Sequence, residues 1–398
     1  MKRLLLLLLL LPAACKSGPD PATTGGDVSS LLIAPSGGYV GSAVVDTQGR
    51  VYLAANEGLG VVEFAPDVTL PSTWIAPAAQ PEIELALSGQ TLWWAANNGT
   101  SSALWSSSEG AFLSPPGTSV TFPGNGYGDV VGLVADSTAV YAAVTAPEPT
   151  DGGPPAPPQG PSPDSWAWPG SAPVDTAWAG SLYRIVPATT PSIQPLAAAG
   201  GITFLPGVMQ HVLAQSTTQV YWVDSTPAGT DIGRVMTATK ANWATDPGHA
   251  VGGLQAQAGV SAGFVGLAAS DTYVAWAAAP QPSPGASGCW VWSSLDGKPP
   301  VEIFDSDLAQ TTFACNGLAI DSVYAYFTMV QVYVQPDGTQ VLRGTGVARV
   351  PLAGGPLQTV ALESDRWYGA RRLLVDDEYI YALDPSYVMR FPKTVFGP

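Results

Sequence analysis

Residues that support acid–base or metal chemistry are scarce in this sequence. Two histidines and three cysteines occur among 398 residues, and 31 aspartates and glutamates face 15 lysines and arginines. So few soft ligands do not predict a zinc or iron–sulfur centre, and no nucleotide-binding or metalloprotease motif is present, so we expect no metal and no cofactor. The formal charge of −16 excludes nucleic acid as a partner, because no basic patch is available to neutralise phosphates.

His211 is the candidate for proton transfer. It lies ten residues before an aromatic strand residue, and Asn316 and Arg371 stand at the same offset in later segments. His211 with Glu84 or Arg371 would suit a lyase or hydrolase, since acid–base catalysis needs only two or three positioned groups. The same polar groups, Asn316 and Arg371 included, also suit a small-ligand site or an ordinary solvated lining, and we favour the lining because fold alone implies no function.

Three tryptophans are the candidate binding residues. Trp166, Trp168 and Trp178 lie in a long Pro-rich segment, residues 145–180. Their rings could stack on a sugar, a peptide or a partner protein. The alternative, which we favour slightly, is that they pin the long segment onto the domain, since buried tryptophan is common.

The first cysteine belongs to an export signal. Met1, Lys2 and Arg3 precede an apolar stretch, Leu4–Leu11, that is too short to span a bilayer permanently. Leu11-Pro12-Ala13-Ala14-Cys15 resembles a bacterial lipobox, which implies cleavage after residues 1–14 and lipidation of Cys15. By the same resemblance, the absence of Asp after Cys15 implies the outer membrane of the cell envelope. The alternative is an ordinary signal peptide with an incidental cysteine. Residues 15–29 have no apolar periodicity and predict a flexible tether.

One supersecondary unit recurs along the rest of the chain. Each copy has an apolar strand, a polar turn, a second strand with an aromatic anchor, and a third strand. The anchors of the seven copies are Tyr52, Trp93, Tyr141, Tyr221, Trp276, Tyr326 and Tyr381. An Asp or Ser stands near the turn, five residues before six of these anchors: Ser88, Asp136, Ser216, Asp271, Asp321 and Asp376, with Asp46 displaced by one residue. We expect these side chains to cap their own turns, because they are too dispersed to converge on one ion.

Short antiparallel strands at this spacing predict an all-β, seven-bladed β-propeller over residues 30–398. The last copy lacks a convincing fourth strand, and residues 30–35 precede the first copy without a partner. Pairing these residues with the strand near 387–393 would close the last blade and leave no open edge.

The repeats resemble those of secreted bacterial β-propeller lipoproteins related loosely to NHL and YWTD propellers. Tyr221-Trp222-Val223-Asp224 is the segment nearest to the YWTD signature. The resemblance implies the architecture alone, since no family active site can be placed on these residues.

The other two cysteines are predicted to pair. In an oxidising compartment, Cys289 and Cys315 remain as an even pair once Cys15 is lipidated. They open the third strand of blade five and the first strand of blade six, which run in the same direction, so both should lie near one face. The alternative is two buried free thiols.

These observations favour an envelope-anchored scaffold that is not an enzyme. We expect attachment to the membrane through Cys15 and contact with an envelope protein or a glycan through the inserted segments. The alternative is the lyase or hydrolase site around His211.

Overall fold

The computed structural model describes strands and short turns over most of the repeat region. The described residues are 29–32, 40–55, 58–62, 73–75, 84–97, 102–108, 120–121, 130–145, 178–188, 190–196, 202–204, 212–224, 231–255, 262–280, 288–295, 298–306, 313–334, 340–361, 372–383 and 387–397. Within these ranges the protein is all-β, apart from two short 3-10 helices, Lys240–Asn242 and Lys393–Phe396.

The strands fall into groups that follow the repeats. In chain order they are β1 (Ser29–Leu32), β2 (Val40–Val45), β3 (Val51–Ala55), β4 (Gly58–Val62), β5 (Thr73–Ile75), β6 (Glu84–Ser88), β7 (Thr91–Asn97), β8 (Ser102–Ser108), β9 (Val120–Thr121), β10 (Val130–Ala135), β11 (Val140–Thr145), β12 (Trp178–Val186), β13 (Ser192–Pro195), β14 (Ile202–Phe204), β15 (Leu213–Gln215), β16 (Gln219–Asp224), β17 (Asp231–Thr239), β18 (His249–Gln255), β19 (Ala262–Ala269), β20 (Tyr273–Pro280), β21 (Trp290–Leu295), β22 (Val301–Asp305), β23 (Phe313–Ile320), β24 (Tyr324–Val334), β25 (Gln340–Pro351), β26 (Gln358–Ala361), β27 (Arg372–Val375), β28 (Tyr379–Leu383) and β29 (Tyr387–Pro392).

Antiparallel pairing assembles these strands into seven four-stranded blades. Blades one, two, five and six are the separate sheets β2–β5, β6–β9, β19–β22 and β23–β26. Blades three (β10–β13) and four (β15–β18) share one sheet, because β14 pairs with both β12 and β16. Blade seven consists of β27, β28, β29 and the N-terminal strand β1. The predicted all-β propeller fold is confirmed.

The blades close into a ring. The first strands contact one another in the order β2, β6, β10, β15, β19, β23 and β27, and β27 then contacts β2. Seven clusters of buried apolar side chains lie among the described residues, one between each pair of neighbouring blades.

Burial on both faces explains the sequence of the middle strands. Each blade is packed between two neighbours, so a second strand such as β11, Val140–Val144, is buried at every residue rather than at alternate ones. Alanines recur in these strands, for example at Ala142, Ala143 and Ala382, all of which are fully buried. Small side chains beside a large aromatic let neighbouring sheets approach while the space between them stays filled.

The N-terminal strand closes the last blade as predicted, but it begins at Ser29, which the sequence assigned to the tether, and residues 33–35 lie outside the described residues. β1 pairs antiparallel with β29, from Ser29 opposite Arg390 to Leu32 opposite Tyr387. Both ends of the repeat region are therefore hydrogen-bonded within one blade, and the outer edge of β29 is covered.

One anchor was placed one residue out of register. Tyr141, Tyr326 and Tyr381 each face the following blade, and the position that corresponds to them in blade five is Ala275. Trp276 instead packs in the cluster between blades four and five, facing the preceding blade. Successive side chains of a strand point to opposite faces, so a shift of one residue reverses the direction of the anchor.

Candidate functional site: the insertion face and the channel

The two faces of the ring differ in their connections. The turns that join first and second strands lie on one face, which we call the turn face. The second strands end, and the third strands begin, on the opposite face, which we call the insertion face. The inserted segments 146–177, 281–287 and 335–339 leave β11, β20 and β24 on the insertion face.

The base of the longest insertion is held by two blades. β12 begins at Trp178 and pairs at its start with β14, through Trp178 with Phe204 and Gly180 with Ile202. β14 pairs in turn with β16, through Phe204 and Asp224. The chain thus leaves and re-enters the ring at a continuous sheet that spans blades three and four, a link that the sequence analysis did not anticipate.

Blade six carries a longer hairpin on the same face. β24 and β25 remain paired beyond the core of the blade as far as Val334 and Gln340, with one register shift between Met329 and Val330. The predicted extension of this hairpin, residues 332–343, is confirmed.

The central channel is lined by all seven first strands. Its cavity has a volume of about 330 Å³. The lining side chains are aliphatic, such as Val44, Leu87, Val134 and Leu374, except for Gln215 and Arg372. The first strands are the inner edges of their sheets, so their outward N–H and C=O groups also face this channel. The described wall of the channel is therefore aliphatic with a backbone polar edge.

Four of the first strands bend near the insertion face. Their register shifts at β-bulges in β2, β10, β19 and β23. In β23 the bulge contains Gly317, whose φ of +60° belongs to the left-handed region that glycine adopts most readily.

The predicted site residues are only partly placed. Glu84 is the first residue of β6 and is half-buried, and Asn316 pairs through its backbone with Thr328, both near the insertion face. His211, Arg371, Trp166, Trp168 and Cys15 lie outside the described residues, as do the side chains of Trp178 and Asn316. Of the three residues in the catalytic alternative, Glu84 is described and His211 and Arg371 are not, so the distances between them are not defined.

Arg372 is a channel residue that sequence reasoning missed. It is the first residue of β27, lines the channel and is 8% exposed. Its neighbour Arg371 had been chosen by its offset from Tyr381. A buried arginine on an edge strand has no distinct sequence signal, because the side-chain direction depends on where the strand begins.

The turn face uses its carboxylates within the fold. Oδ1 of Asp136, Asp321 and Asp376 each accepts two backbone N–H groups of its own turn at 2.6–3.0 Å, and Oδ1 of Asp46 does the same at 2.8 and 2.9 Å. The predicted capping role is confirmed for these four residues.

Blade five differs from the prediction. Its turn is capped by the hydroxyl of Ser270, which accepts the N–H groups of Thr272 and Tyr273 at 3.4 and 3.1 Å. Asp271 instead accepts the N–H of Thr217, at 2.8 Å, from the turn of blade four. The cause is the same one-residue displacement that moved Trp276.

Two lysines bind caps across blade boundaries. The Lys240 ammonium donates to Oδ2 of Asp136 at 2.7 Å, and that of Lys393 donates to Oδ2 of Asp321 at 2.8 Å. Each lysine follows the third strand of its own blade and reaches back to the preceding blade. Because only 15 lysines and arginines occur in the chain, a lysine directly after a third strand is the sequence feature that could have indicated these contacts.

These contacts shift the acidity of the caps. Burial alone would raise the pKa of Asp136, but Lys240 and Thr138 outweigh burial and lower that pKa to about 2. Burial alone would also raise the pKa of Asp321. Lys393 and the turn amides outweigh burial and lower that pKa. Burial and the adjacent Asp321 raise the pKa of Tyr326, whose hydroxyl donates to Oδ2 at 2.7 Å. These carboxylates are held ionised by the fold, which is the opposite of a group poised to exchange protons near neutral pH.

Cys289 and Cys315 form a disulfide between blades five and six. Their Cα atoms are 5.3 Å apart, and both residues are 1% exposed. The Cys289 N–H donates to the Ser306 hydroxyl at 2.7 Å, which ties the third and fourth strands of blade five at the same point.

Two searches of the described residues were negative. No group of three or more His, Cys, Asp or Glu side chains there is arranged to hold a metal ion. No helix in the same part of the chain is long and apolar enough to cross a membrane.

Comparison with known proteins identifies the fold alone. The sequence matches no protein-family model. No curated protein is similar to it in sequence. Among solved structures the chain is similar to YCF48 bound to D1 peptide, with a TM-score of 0.55 and 11% identity over 94% of this chain and 97% of that one. It is also similar to a catalytically inactive virginiamycin B lyase from Staphylococcus aureus with quinupristin, with a TM-score of 0.52 and 9% identity over 92% and 98% of the two chains. These similarities support a β-propeller, and identities this low carry no activity across.

Proposed function

We propose that this protein is a lipid-anchored β-propeller of the bacterial cell envelope that binds a protein or glycan through its insertion face. The observation that carries the proposal is the sheet that joins blades three and four at the base of the long insertion. β12, β14 and β16 hold both blades three and four at the point where the Trp-bearing segment leaves the ring. A binding segment gains affinity when its ends are fixed, because less conformational entropy is lost on binding.

The distribution of charged groups supports binding over catalysis. The four turn-face aspartates that cap their own turns are used within the fold, and the channel wall is aliphatic apart from Gln215 and Arg372. YCF48, which has a similar fold, is described as bound to a peptide, and that is consistent with a protein partner here.

Anchoring is the second half of the proposal. The lipobox-like segment ending at Cys15 supports lipidation, and the residue after Cys15, a lysine, supports delivery to the outer membrane. We expect Cys15→Ser to leave the protein unprocessed and without radiolabelled acyl chains, and its release from the membrane fraction to follow. Acylation of the Cys15→Ser variant to the wild-type level would refute the anchor.

The binding test removes the insertion without touching the strands. In the variant, residues 148–175 are replaced by a short glycine linker between β11 and β12. We expect its melting temperature to stay close to that of the wild type, and recovery of an envelope protein or labelled glycan from solubilised envelopes to be lost. Trp166→Ala/Trp168→Ala tests the tryptophans, and shortening segment 281–287 is the matched control. Undiminished recovery by the 148–175 variant would refute the proposal.

The catalytic alternative is tested in the same material. His211→Ala, Glu84→Gln and Arg371→Ala are assayed for turnover of a panel of glycans and polyuronides. A turnover by the wild type that falls by about 10²-fold or more in His211→Ala would replace the scaffold by an enzyme.

A further inference from the structure

The direction of β1 shows from which face of the ring the N-terminal chain arrives. β29 runs from Tyr387 near the insertion face to Pro392 at the turn face, because Pro392 pairs with Tyr379, the residue that follows the turn of blade seven. β1 is antiparallel to β29, with Ser29 opposite Arg390 and Leu32 opposite Tyr387. The chain that comes from Cys15 therefore enters β1 from the turn face.

The exposed apolar side chains lie on this same face. The large hydrophobic side chains described as exposed are Leu295, Val301 and Val323, at 37%, 56% and 52%. Leu295 ends the third strand of blade five, Val301 begins its fourth strand, and Val323 lies in the first turn of blade six. All three positions are at the turn face.

Two hydrogen bonds place these side chains in one region. The Leu352 N–H donates to the Val323 carbonyl at 2.8 Å, and the Ser293 hydroxyl of β21 donates to the Leu352 carbonyl. The turn of blade six thus lies beside the end of β21, two residues from Leu295. Lys298, Pro299 and Pro300, in the connection between β21 and β22, are exposed as well. We call Leu295, Val301 and Val323 the apolar patch.

We propose that the turn face rests against the membrane that carries the anchor, with the apolar patch in contact with lipid and the insertion face directed away from it. This rests on the anchoring half of the proposed function and specifies it: the partner approaches from the side opposite to the anchoring membrane.

The length of the tether supports this orientation. Fourteen residues, 15–28, lead from Cys15 to β1, and a random coil of that length would span about 20 Å on root-mean-square average. A six-residue strand is also about 20 Å long. To present the insertion face to the membrane, the tether would have to run back along blade seven, a distance comparable with its whole average span. With the turn face down, the tether joins β1 directly.

The position of the patch relative to the tether gives the second argument. The tether meets the ring at blade seven, and the patch lies on blades five and six, next to it around the ring. Asp377 and Glu378, exposed in the turn of blade seven, would be repelled by an anionic surface, so the contact is expected with uncharged lipid and through the apolar patch of the neighbouring blades. A lipid anchor holds the patch at high local concentration, so even a small apolar area is sufficient to set the orientation.

The test couples the mature chain to vesicles through Cys15. Cys289 and Cys315 are joined, so Cys15 is the free thiol of residues 15–398, and it is attached to maleimide lipid in phosphatidylcholine vesicles. An azide-bearing residue at position 323 carries the environment-sensitive dye NBD. Matched proteins carry the dye at Ser137, an exposed turn-face residue of blade three, or at Ser162 within the long insertion.

Spin-labelled lipids then report which dye lies near the bilayer. We expect quenching several times stronger at 323 than at 162, with 137 between them. Quenching at 162 as strong as at 323 would overturn the orientation. Leu295→Ser/Val301→Ser should lower quenching at 323 about twofold or more, whereas the turn-face control Thr47→Ser/Gln48→Ser should not. An unchanged signal in Leu295→Ser/Val301→Ser, or equal quenching at 137 and 323, would overturn the patch contact.

This result is separable from the proposed function. Chemical coupling at Cys15 supplies the anchor whether or not the cell lipidates it, and native acylation is read from the Cys15→Ser experiment. Partner recovery is measured on solubilised protein, so it does not depend on orientation.

Discussion

The boundary between blades six and seven and the boundary between blades five and six are held together by different chemistry. At the former, Asp321 caps its turn, receives the Tyr326 hydroxyl and binds Lys393 of the next blade. At the latter, the cap is Ser270, and Ala275 stands where the tyrosine would be. The acid, the phenol and the lysine are therefore all replaced together.

Leu352 shows how far the replacement extends. The N–H groups of Lys240, Leu352 and Lys393 each donate to a carbonyl in the first turn of their own blade, at 2.9, 2.8 and 2.9 Å, so the three positions correspond. Where the preceding blade has an aspartate cap the residue is lysine, and where it has Ser270 the residue is Leu352. The disulfide and the aromatic pair Phe304 and Phe327 belong to the same cluster, between blades five and six.

The comparison teaches that a blade boundary is a set of coupled choices. At these boundaries, each bridging lysine stands opposite an ionised aspartate, and Leu352 stands where that acid is missing. Repeats of one fold thus keep their backbone and exchange whole groups of contacts.

Of the changes that test this comparison, loss of the disulfide should have the largest effect on the free energy of unfolding. Cys289→Ala/Cys315→Ala is expected to lower the free energy of unfolding by about 3 kcal/mol, because the crosslink restricts the unfolded chain. Guanidinium denaturation of oxidised protein measures this change. Wild type unfolded with excess reductant is the control and should approach the variant. A difference below about 1 kcal/mol would mean that the apolar contacts alone hold blades five and six together.

Exchange of one member of the set should be nearly as costly. Leu352→Lys brings an ammonium group opposite Ser270 and is expected to destabilise the protein by about 2 kcal/mol. Ser270→Asp/Leu352→Lys should recover part of that loss, as a double-mutant cycle would report. No recovery would show that the two positions are not coupled.

Removing a bridging cation should cost less. Lys240→Met is expected to destabilise by about 1.5 kcal/mol, since Asp136 keeps its turn amides but loses its charged partner. Thermal unfolding of Lys240→Met and Lys393→Met should give similar losses. Lys298→Met, at an exposed lysine, is the control and should stay within about 0.5 kcal/mol of wild type.

The same bridge predicts a pH dependence. The pKa of Asp136 falls from its usual 3.8 to about 2 on folding, so the unfolded chain takes up the proton first. Its stabilisation is present above pH 3.8 and is lost as the pH falls through about 2. The stability difference between wild type and Asp136→Asn should therefore shrink over that range. A constant difference would contradict the ionised bridge.

The smallest effect concerns the phenol. Tyr326→Phe removes one hydrogen bond to Asp321, which retains Lys393 and two amides, so we expect a loss of about 1 kcal/mol. Tyr381→Phe removes the equivalent bond to Asp376 at 2.7 Å and should behave alike. Tyr273→Phe, in the blade with a serine cap, is the comparison and should change stability less.

The repeat, the all-β propeller fold and the closure by the N-terminal strand could be predicted from the sequence alone. These follow from local features, namely turn residues at a regular offset from β-branched and aromatic strands, and an unpaired strand at each end of the chain. The pairing of Cys289 with Cys315 followed from the same count, since the blade assignment brings the two strands side by side.

Features that depend on side-chain direction and on contacts between blades could not be predicted in this way and are seen only in the folded molecule. Ser270, and not Asp271, caps its turn, and Trp276 faces the preceding blade. A shift of one residue along a strand reverses the face to which each side chain points but leaves the composition of the repeat unchanged. Arg372 in the channel, β14 between two blades, and the reach of Lys240 to Asp136 join residues far apart in sequence. No periodicity within one repeat contains that information, because the partner in each case belongs to another blade or another part of the ring.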